Sequence, residues 1–330
     1  MKIDVHNHIY PKKFMDQLAI DGPAVGIEVK ADAAGNLTIY RYGTRIVTMT
    51  PPMMDIGLRL KDMDKAGFDI QILTTSIPGV EVFPHDVGVN ITRLLNDEMA
   101  TIVKAHPDRF IGFGSLYFPD MDETIKETDR CIEKLGLKGF TIGSNINGMR
   151  LDDKHMYPFY ERLCYHDLPI HMHPRPPLDK ETYKDFGLGA LIGFECDIAV
   201  SVARLVFSGT LEKFDKLKLI VPHLGAGITF LSERIEFGWE YYPECHKIPH
   251  SAKYYLKKLY YDSVNSSKDG IHPTMCTYGL VGADHMVLGT DYPHVLGDIH
   301  QMLLSIEALP ISNEEKEKIY SKNMLNLLNM

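Results

Sequence analysis

The chain has 330 residues, of which 45% are hydrophobic and 24% charged, and carries a formal net charge of −9. These are globular proportions, and the length suits an α/β barrel with insertions. An acidic balance without a basic stripe excludes a nucleic-acid backbone as partner, and no stretch approaches the roughly 18 consecutive apolar residues of a membrane helix.

The opening residues Met1-Lys2-Ile3-Asp4-Val5-His6 show no apolar signal segment. The cysteines Cys131, Cys164, Cys196, Cys245 and Cys276 are dispersed and odd in number, as reduced thiols would be. Both features set the expectation of a cytoplasmic protein. The first strand is read at Ile3–Ile9. A long connection from Tyr10 to Met54 follows, in which Ile27–Lys30 and Leu37–Tyr40 flank Ala33-Ala34-Gly35-Asn36 as a β-hairpin, and a helix begins near Asp55. Further β-branched runs come at Asp69–Thr75, Phe110–Leu116, Gly139–Ile142, Leu168–His173, Lys218–His223, Leu259–Val264 and His285–Asp291. Amphipathic stretches such as Thr92–Ala105, Asp122–Leu135, Tyr157–Tyr165 and Ser201–Phe214 separate them, and Arg175–Leu191 is a second long connection. Eight alternations imply parallel strands with crossover helices, closed into a (β/α)8 TIM barrel. The expectation is a single domain over residues 1–330, with an inserted β-hairpin in residues 10–54. Both long connections follow a strand, which puts them at the C-terminal face, where barrel enzymes carry their active sites.

The chemistry-bearing residues gather at strand ends. In Ile3-Asp4-Val5-His6-Asn7-His8-Ile9, alternation places Asp4, His6 and His8 on one face, so two imidazoles can reach one ion. A structural histidine pair would also satisfy an arbitrary H-x-H; the position at the end of the first barrel strand favours ligation. The fifth strand repeats the pattern in His171-Met172-His173-Pro174, where either histidine would supply a third ligand. His173 is the nearer to the barrel mouth, and His171 would serve as a deeper hydrogen-bonding partner. His223 ends the sixth strand before Gly225-Ala226-Gly227, as a further ligand or as a general acid/base. Asp291 follows the apolar eighth strand, where an unpartnered carboxylate is costly and a metal is a suitable partner; a helix cap would be the plainer explanation of a lone aspartate. In a closed barrel, strand eight lies beside strand one. Three imidazoles and a carboxylate suit one divalent ion, Zn2+ first and Mn2+ as an alternative. Arg234, on the helix after His223, is either a solvated charge or a fork for a substrate carboxylate. His294 and His85 are candidates to line the pocket; His106, His155, His166, His272 and His285 are placed at the surface.

These residues resemble the amidohydrolase superfamily, in its aminocarboxymuconate semialdehyde decarboxylase-like branch (amidohydrolase family 2), which includes γ-resorcylate and 5-carboxyvanillate decarboxylases. The matching pieces are Met1 to Pro11, His106-Pro107-Asp108-Arg109-Phe110, His173-Pro174, Phe214 to His223 with its glycine-rich turn, and Gly289-Thr290-Asp291-Tyr292-Pro293. The resemblance implies a metal-dependent barrel with His6, His8, His173 and Asp291 as ligands, and it chooses His173 over His171. It implies that His223 is the acid/base, that Arg234 binds a substrate carboxylate, and that the protein is a homodimer. His173-Pro174-Arg175 departs from the His-Pro-Trp of the aminocarboxymuconate enzymes towards the aromatic-acid decarboxylases, which makes Arg175 a substrate-binding candidate. The family's last motif ends in Phe where this chain has His294. Its second substrate arginine, in the long first loop, is matched with an offset of two by Arg45, and such an offset keeps a strand residue on the same face.

The activity implied is non-oxidative decarboxylation of a small aromatic or unsaturated carboxylic acid, with His223 and Asp291 moving protons. The alternative is a metal-dependent hydrolase or hydratase, for example a lactonase, that uses the same site, because fold and metal do not fix the reaction. A closed structural metal site, usually cysteine-rich, fits this ligand set poorly.

Overall fold

The structure is a computed structural model that describes residues 1–33, 35–177, 179, 181–265, 271–294 and 296–330. Ala34, in the expected hairpin turn, and Leu178 and Lys180, in the second long connection, lie outside the described residues.

Eight parallel strands form the barrel: Ile3–His8, Ile70–Thr74, Phe110–Gly112, Phe140–Gly143, Pro169–His173, Lys218–Val221, Tyr260–Asp262 and Met286–Val287. The first pairs with the second and the second with the third; the fourth to the eighth form a continuous ladder. Parallel bridges Gly114–Phe140 and Asn7–Tyr292 join the two arcs, and Val5 N–H donates to the Leu288 carbonyl at 2.9 Å, so the sheet closes. Each strand overlaps its sequence-read run; several are shorter, and the fourth ends one residue later, at Gly143. The eighth keeps only two ladder residues, because its last part leaves the ladder to bring Asp291 over the mouth. Every residue of the first strand is buried, as both faces of a parallel barrel strand should be.

Local chemistry sets the helix limits. Asp55 caps helix Ile56–Ala66 by accepting from Leu58 N–H at 3.0 Å, and Gly67 ends it at φ 77°. Helix Phe194–Phe207 starts earlier than the apolar periodicity of Ser201–Phe214 indicates, and a separate turn, Thr210–Lys213, completes that stretch.

The insertion holds more than a hairpin. Strands Ile27–Ala31, Leu37–Arg41 and Thr44–Thr48 form a three-stranded antiparallel sheet, preceded by helix Lys12–Asp21. The third strand, Thr44-Arg45-Ile46-Val47-Thr48, is mostly exposed, with only Val47 buried, and lacks a strong apolar alternation, so its pattern is faint in sequence. Tyr10, Phe14, Leu18, Ile27, Ile39, Val47 and Met53 pack with Ile77, Ile91 and Leu95 into a core of their own. Burying each such side chain is worth about 1.5–3 kcal/mol, which holds the sheet over the barrel mouth. Among the described residues no helix is long and apolar enough to cross a membrane.

Candidate metal centre

The ends of strands one and five and the loop after strand eight bring His6, His8, His173 and Asp291 together, with one potential ligand atom from each within 4.8 Å of the others. His6, His8 and His173 are buried, and the Asp291 side chain retains 16% exposure. The tautomers follow from the hydrogen bonds. His6 Nδ1 donates to Asp262 Oδ2 at 2.7 Å, His8 Nδ1 meets the Thr74 hydroxyl at 3.2 Å, and His173 Nδ1 donates to the Pro174 carbonyl at 2.9 Å. Thr74 sends its own proton to the Asn7 carbonyl at 2.7 Å, so its oxygen is left to accept from His8. Each ring is thereby left with Nε2 as its lone-pair nitrogen, and that of His173 has the Ser76 hydroxyl 3.2 Å away. His6 Nε2 has no hydrogen-bond partner and lies 3.4 Å from Asp291 Oδ1, while His8 Nε2 is 2.9 Å from that oxygen. Burying a ring nitrogen without a partner is unfavourable, and a divalent cation relieves it. The donor set fits one ion, with the second carboxylate layer typical of such sites.

That second layer was illegible from spacing. Asp262, at the end of strand seven, is fully buried and accepts from four donors: His6 Nδ1 at 2.7 Å and His171 Nε2 at 3.0 Å through Oδ2, and the backbone N–H of His223 at 2.9 Å and of Val264 at 3.1 Å through Oδ1. Burial alone would raise its carboxyl, but His6 and His171 outweigh burial and hold it well below the usual carboxylate range. The available signal was the one used for Asp291, a carboxylate closing an apolar strand. His171 is thus a partner of Asp262, and burial pushes its imidazole down to about 4. Gly289 permits the close approach behind the ligands, since a Cβ there would sit 3.0 Å from both the His6 and Asp262 Cβ atoms. Arg59, fully buried, donates to Asn7 Oδ1 at 3.0 Å and Gln71 Oε1 at 2.8 Å and also to the His8 carbonyl, which clamps the first strand.

His223 stands beside the cluster, its ring stacked on His6 at 5.4 Å between centroids. Its Nδ1 pairs with Glu195 Oε1 at 2.6 Å, while its Nε2 is buried without a partner. Burial alone would favour the neutral ring; the Glu195 carboxylate outweighs it and, with Asp291 and Asp262, lifts the pKa to about 9. For Asp291 burial again pushes up, and the close histidines, His8 first and then His294 and His6, hold the carboxyl below the usual range. His223, Leu224, Ala226 and Asp291 all have left-handed φ values of 50–57°. Such conformations cost about 1–3 kcal/mol each and gather where the surrounding structure must aim a functional group.

A cavity of about 970 Å³ opens over this cluster, walled by His173, His223 and Asp291 below and by Arg45, Ile46 and Val47 of the insertion above. His294 also lines it, 4.9 Å from the His8 ring, as does His272, which sequence placed at the surface. Apolar groups such as Leu191, Phe194, Phe230 and Leu296 dominate the remaining wall. Two expected substrate contacts are not brought to this cavity. Arg175 is buried in an ion pair with Glu81 at 2.9 Å, its backbone held by Ser144, on the far side of His173. Arg234 is exposed on helix Ser232–Tyr241, where the helical turn carries it off the wall. His85 bridges Asp86 at 2.8 Å and Asp120 at 3.0 Å on the surface.

Known proteins show the same arrangement of the chain. It is 28% identical over 337 residues to a 2-amino-3-carboxymuconate-6-semialdehyde decarboxylase of Dictyostelium discoideum, covering 100% of this chain and 92% of that one. The crystal structure of 5-carboxyvanillate decarboxylase from Sphingomonas paucimobilis superposes with a TM-score of 0.85 at 22% identity, covering 100% and 99%. A dihydroxybenzoic acid decarboxylase of Polaromonas sp. JS666, solved with bound manganese and the inhibitor 2-nitroresorcinol, matches with a TM-score of 0.81 at 25% identity, covering 99% and 96%. The family model described as amidohydrolase matches residues 3–329, and the chain belongs to the amidohydrolase family.

Proposed function

We propose that this chain is a metal-dependent, non-oxidative decarboxylase of a small aromatic or unsaturated carboxylic acid. The observation that carries the reading is the convergence of three Nε2 atoms and the Asp291 carboxylate on the floor of a largely apolar cavity, with the unpartnered His223 Nε2 beside them. The similarity to named decarboxylases along the whole chain supports it. His6, His8, His173 and Asp291 would hold the ion. Three nitrogen donors favour Zn2+, and the Polaromonas relative makes Mn2+ the alternative. When bound, a divalent ion supplies a Lewis acid that binds substrate oxygens and stabilises charge developing on them.

The chain's own groups supply the rest. The apolar wall takes the ring or unsaturated body and excludes water. Arg45 carries the one guanidinium or ammonium group among the described residues of the wall and would hold a substrate carboxylate. His223 holds a proton at Nε2 and delivers it to the carbon bearing the leaving carboxylate. The electron pair of the breaking carbon–carboxylate bond then returns to the substrate as CO2 departs, and His223 regains its proton from solvent through the cavity. Asp291, beside His8, would be the second group to move protons.

Metal analysis comes first. Purified wild type should contain about one Zn2+ or Mn2+ per chain, and His173→Ala should lose it, since three donors then remain in place of four. A wild type that refuses both ions would sink the ligand assignment. The loaded enzyme should release CO2 from members of a panel of hydroxybenzoates and muconate semialdehydes; ring opening or water addition without CO2 would replace the decarboxylase with a hydrolase or hydratase. With an active substrate, Arg45→Ala should raise KM about 10- to 100-fold, the worth of a charge-assisted hydrogen bond of roughly 1.5–3 kcal/mol, with little change in kcat. An unchanged KM would remove Arg45 from the substrate site.

A further inference from the structure

Glu195 belongs to no motif and stands on no barrel strand, yet its carboxylate is hydrogen-bonded to the His223 ring. Its Oε1 lies 2.6 Å from His223 Nδ1. The helix that carries it, Phe194–Phe207, emerges from a π-turn at Gly189–Gly193. π-turns re-aim side chains at functional sites, and here Phe194 and Glu195 both reach the cavity wall. The helix start is pinned in place. Asp197, two residues on from Glu195, accepts from Ser144 Oγ at 2.6 Å and Asn145 Nδ2 at 2.9 Å, both just after the fourth strand. On the other side, His223 is held through its backbone N–H by Asp262 and by a left-handed φ of 55°. Two separately anchored elements therefore meet at this one hydrogen bond.

We infer that Glu195 is the positioning residue of the acid/base, forming with His223 a dyad that directs Nε2 at the substrate carbon. A ring with one nitrogen committed to a carboxylate has a fixed tautomer and a fixed flip state. With Nδ1–H given to Glu195, only Nε2 can present or accept a proton in the cavity, and Nε2 is the nitrogen left without a partner. A ring flipped by half a turn would point carbon atoms at the cavity and leave Glu195 unpaired. Glu195 also neutralises the imidazolium that His223 becomes between turnovers, so the proton is stored beside the cavity without an uncompensated charge. Its side chain lines the cavity and is 32% exposed, which leaves room for solvent to restore the proton.

The inference rests on the decarboxylase reading for its activity arm and is separable from it by a spectroscopic arm. Glu195→Gln conserves volume and removes the charge; Glu195→Asp keeps the charge and withdraws it by one methylene. In the zinc-loaded enzyme, Glu195→Gln should lower kcat about 10- to 100-fold, within the range of acid/base contributions, with KM within threefold and one zinc per chain retained. Glu195→Asp should fall between it and wild type. In zinc-loaded protein labelled with 15N-histidine, the His223 Nδ1-bound proton should give a strongly downfield resonance, identified by its loss in His223→Asn and shifted upfield in Glu195→Gln. A Glu195→Gln enzyme with wild-type kcat, or a His223 Nδ1 proton resonance unmoved by the substitution, overturns the dyad. If wild type decarboxylates nothing, the functional reading fails, and the resonance alone still decides whether Glu195 positions His223.

Discussion

Replacing His223 by Asn should lower kcat by about 10²- to 10⁴-fold, leaving metal content at the wild-type level and KM within a few-fold. The magnitude is that of a positioned general acid/base. The selectivity follows from geometry. His223 is not among the four grouped ligand residues, and its ring only stacks on His6 at 5.4 Å. Asn is small enough to occupy the space of the ring and can still donate to Glu195 Oε1 from its amide, so the contact between the two anchored elements is kept while the Nε2 proton is lost. Steady-state kinetics with metal analysis of the same preparation tests this. A variant within tenfold of wild type would take the proton-transfer role from His223 and leave Asp291 as the remaining candidate. A variant that loses the metal would show that His223 belongs to the ligand set.

The second large effect should come from a residue that touches no substrate. Asp262→Ala should destabilise the fold by roughly 3–5 kcal/mol, the cost of breaking a buried, hydrogen-bonded charge cluster by removing one partner. It should also weaken metal binding about 10- to 100-fold, as removal of a ligand's outer partner does. The four donors that converge on Asp262 explain the size. Two imidazole N–H groups and two backbone N–H groups would be left buried and unpaired together. His6 would also be free to change tautomer, which would turn a proton instead of a lone pair towards the ion. Denaturant unfolding of the metal-free protein separates the first effect, and competition with a chelator measures the second. Unchanged stability and unchanged metal affinity would mean that the Asp262 cluster is incidental to the site. Loss of stability alone would confine Asp262 to a structural role.

The contrast between Asp291 and Asp262 shows what kind of signal a sequence carries. Both are carboxylates at the end of an apolar barrel strand, and both are held well below the usual carboxylate range by histidines. Asp291 was legible from its place at the end of an apolar strand, and the resemblance of Gly289-Thr290-Asp291-Tyr292-Pro293 to a family pattern reinforced it. Asp262 carried the same physical signal, an expensive buried charge, without such a pattern around it. Glu195 carried neither: on a helix, one carboxylate among apolar residues reads as a solvated charge. The arginines show the reverse. Arg175 and Arg234 sit at positions that the resemblance marks for substrate, yet a neighbouring Glu81 draws one into an ion pair and helical periodicity leaves the other exposed. Arg45, matched only with an offset, is the one that lines the cavity. Similarly, the first two strands of the insertion were legible through their flanking turn, but Thr44–Thr48 gained its identity only from pairing with Leu37–Arg41.

By itself the sequence determined the eight strand–helix alternations, and thus the barrel, and the H-x-H patterns of strands one and five that supply the ligands. Those are local properties, set by the period of two along a strand, by hydrophobic alternation and by the turn residues that follow. Which nitrogen of each histidine faces the ion, which carboxylate holds His6 and His171 in place, which arginine faces the cavity and which acid pairs with His223 were decided only by the tertiary structure. Each depends on contacts between residues far apart in the chain, 256 positions for His6 and Asp262 and 28 for His223 and Glu195. The cost of leaving a buried polar group unpaired sets those pairings, and it becomes definite only when the barrel has closed and water has been excluded.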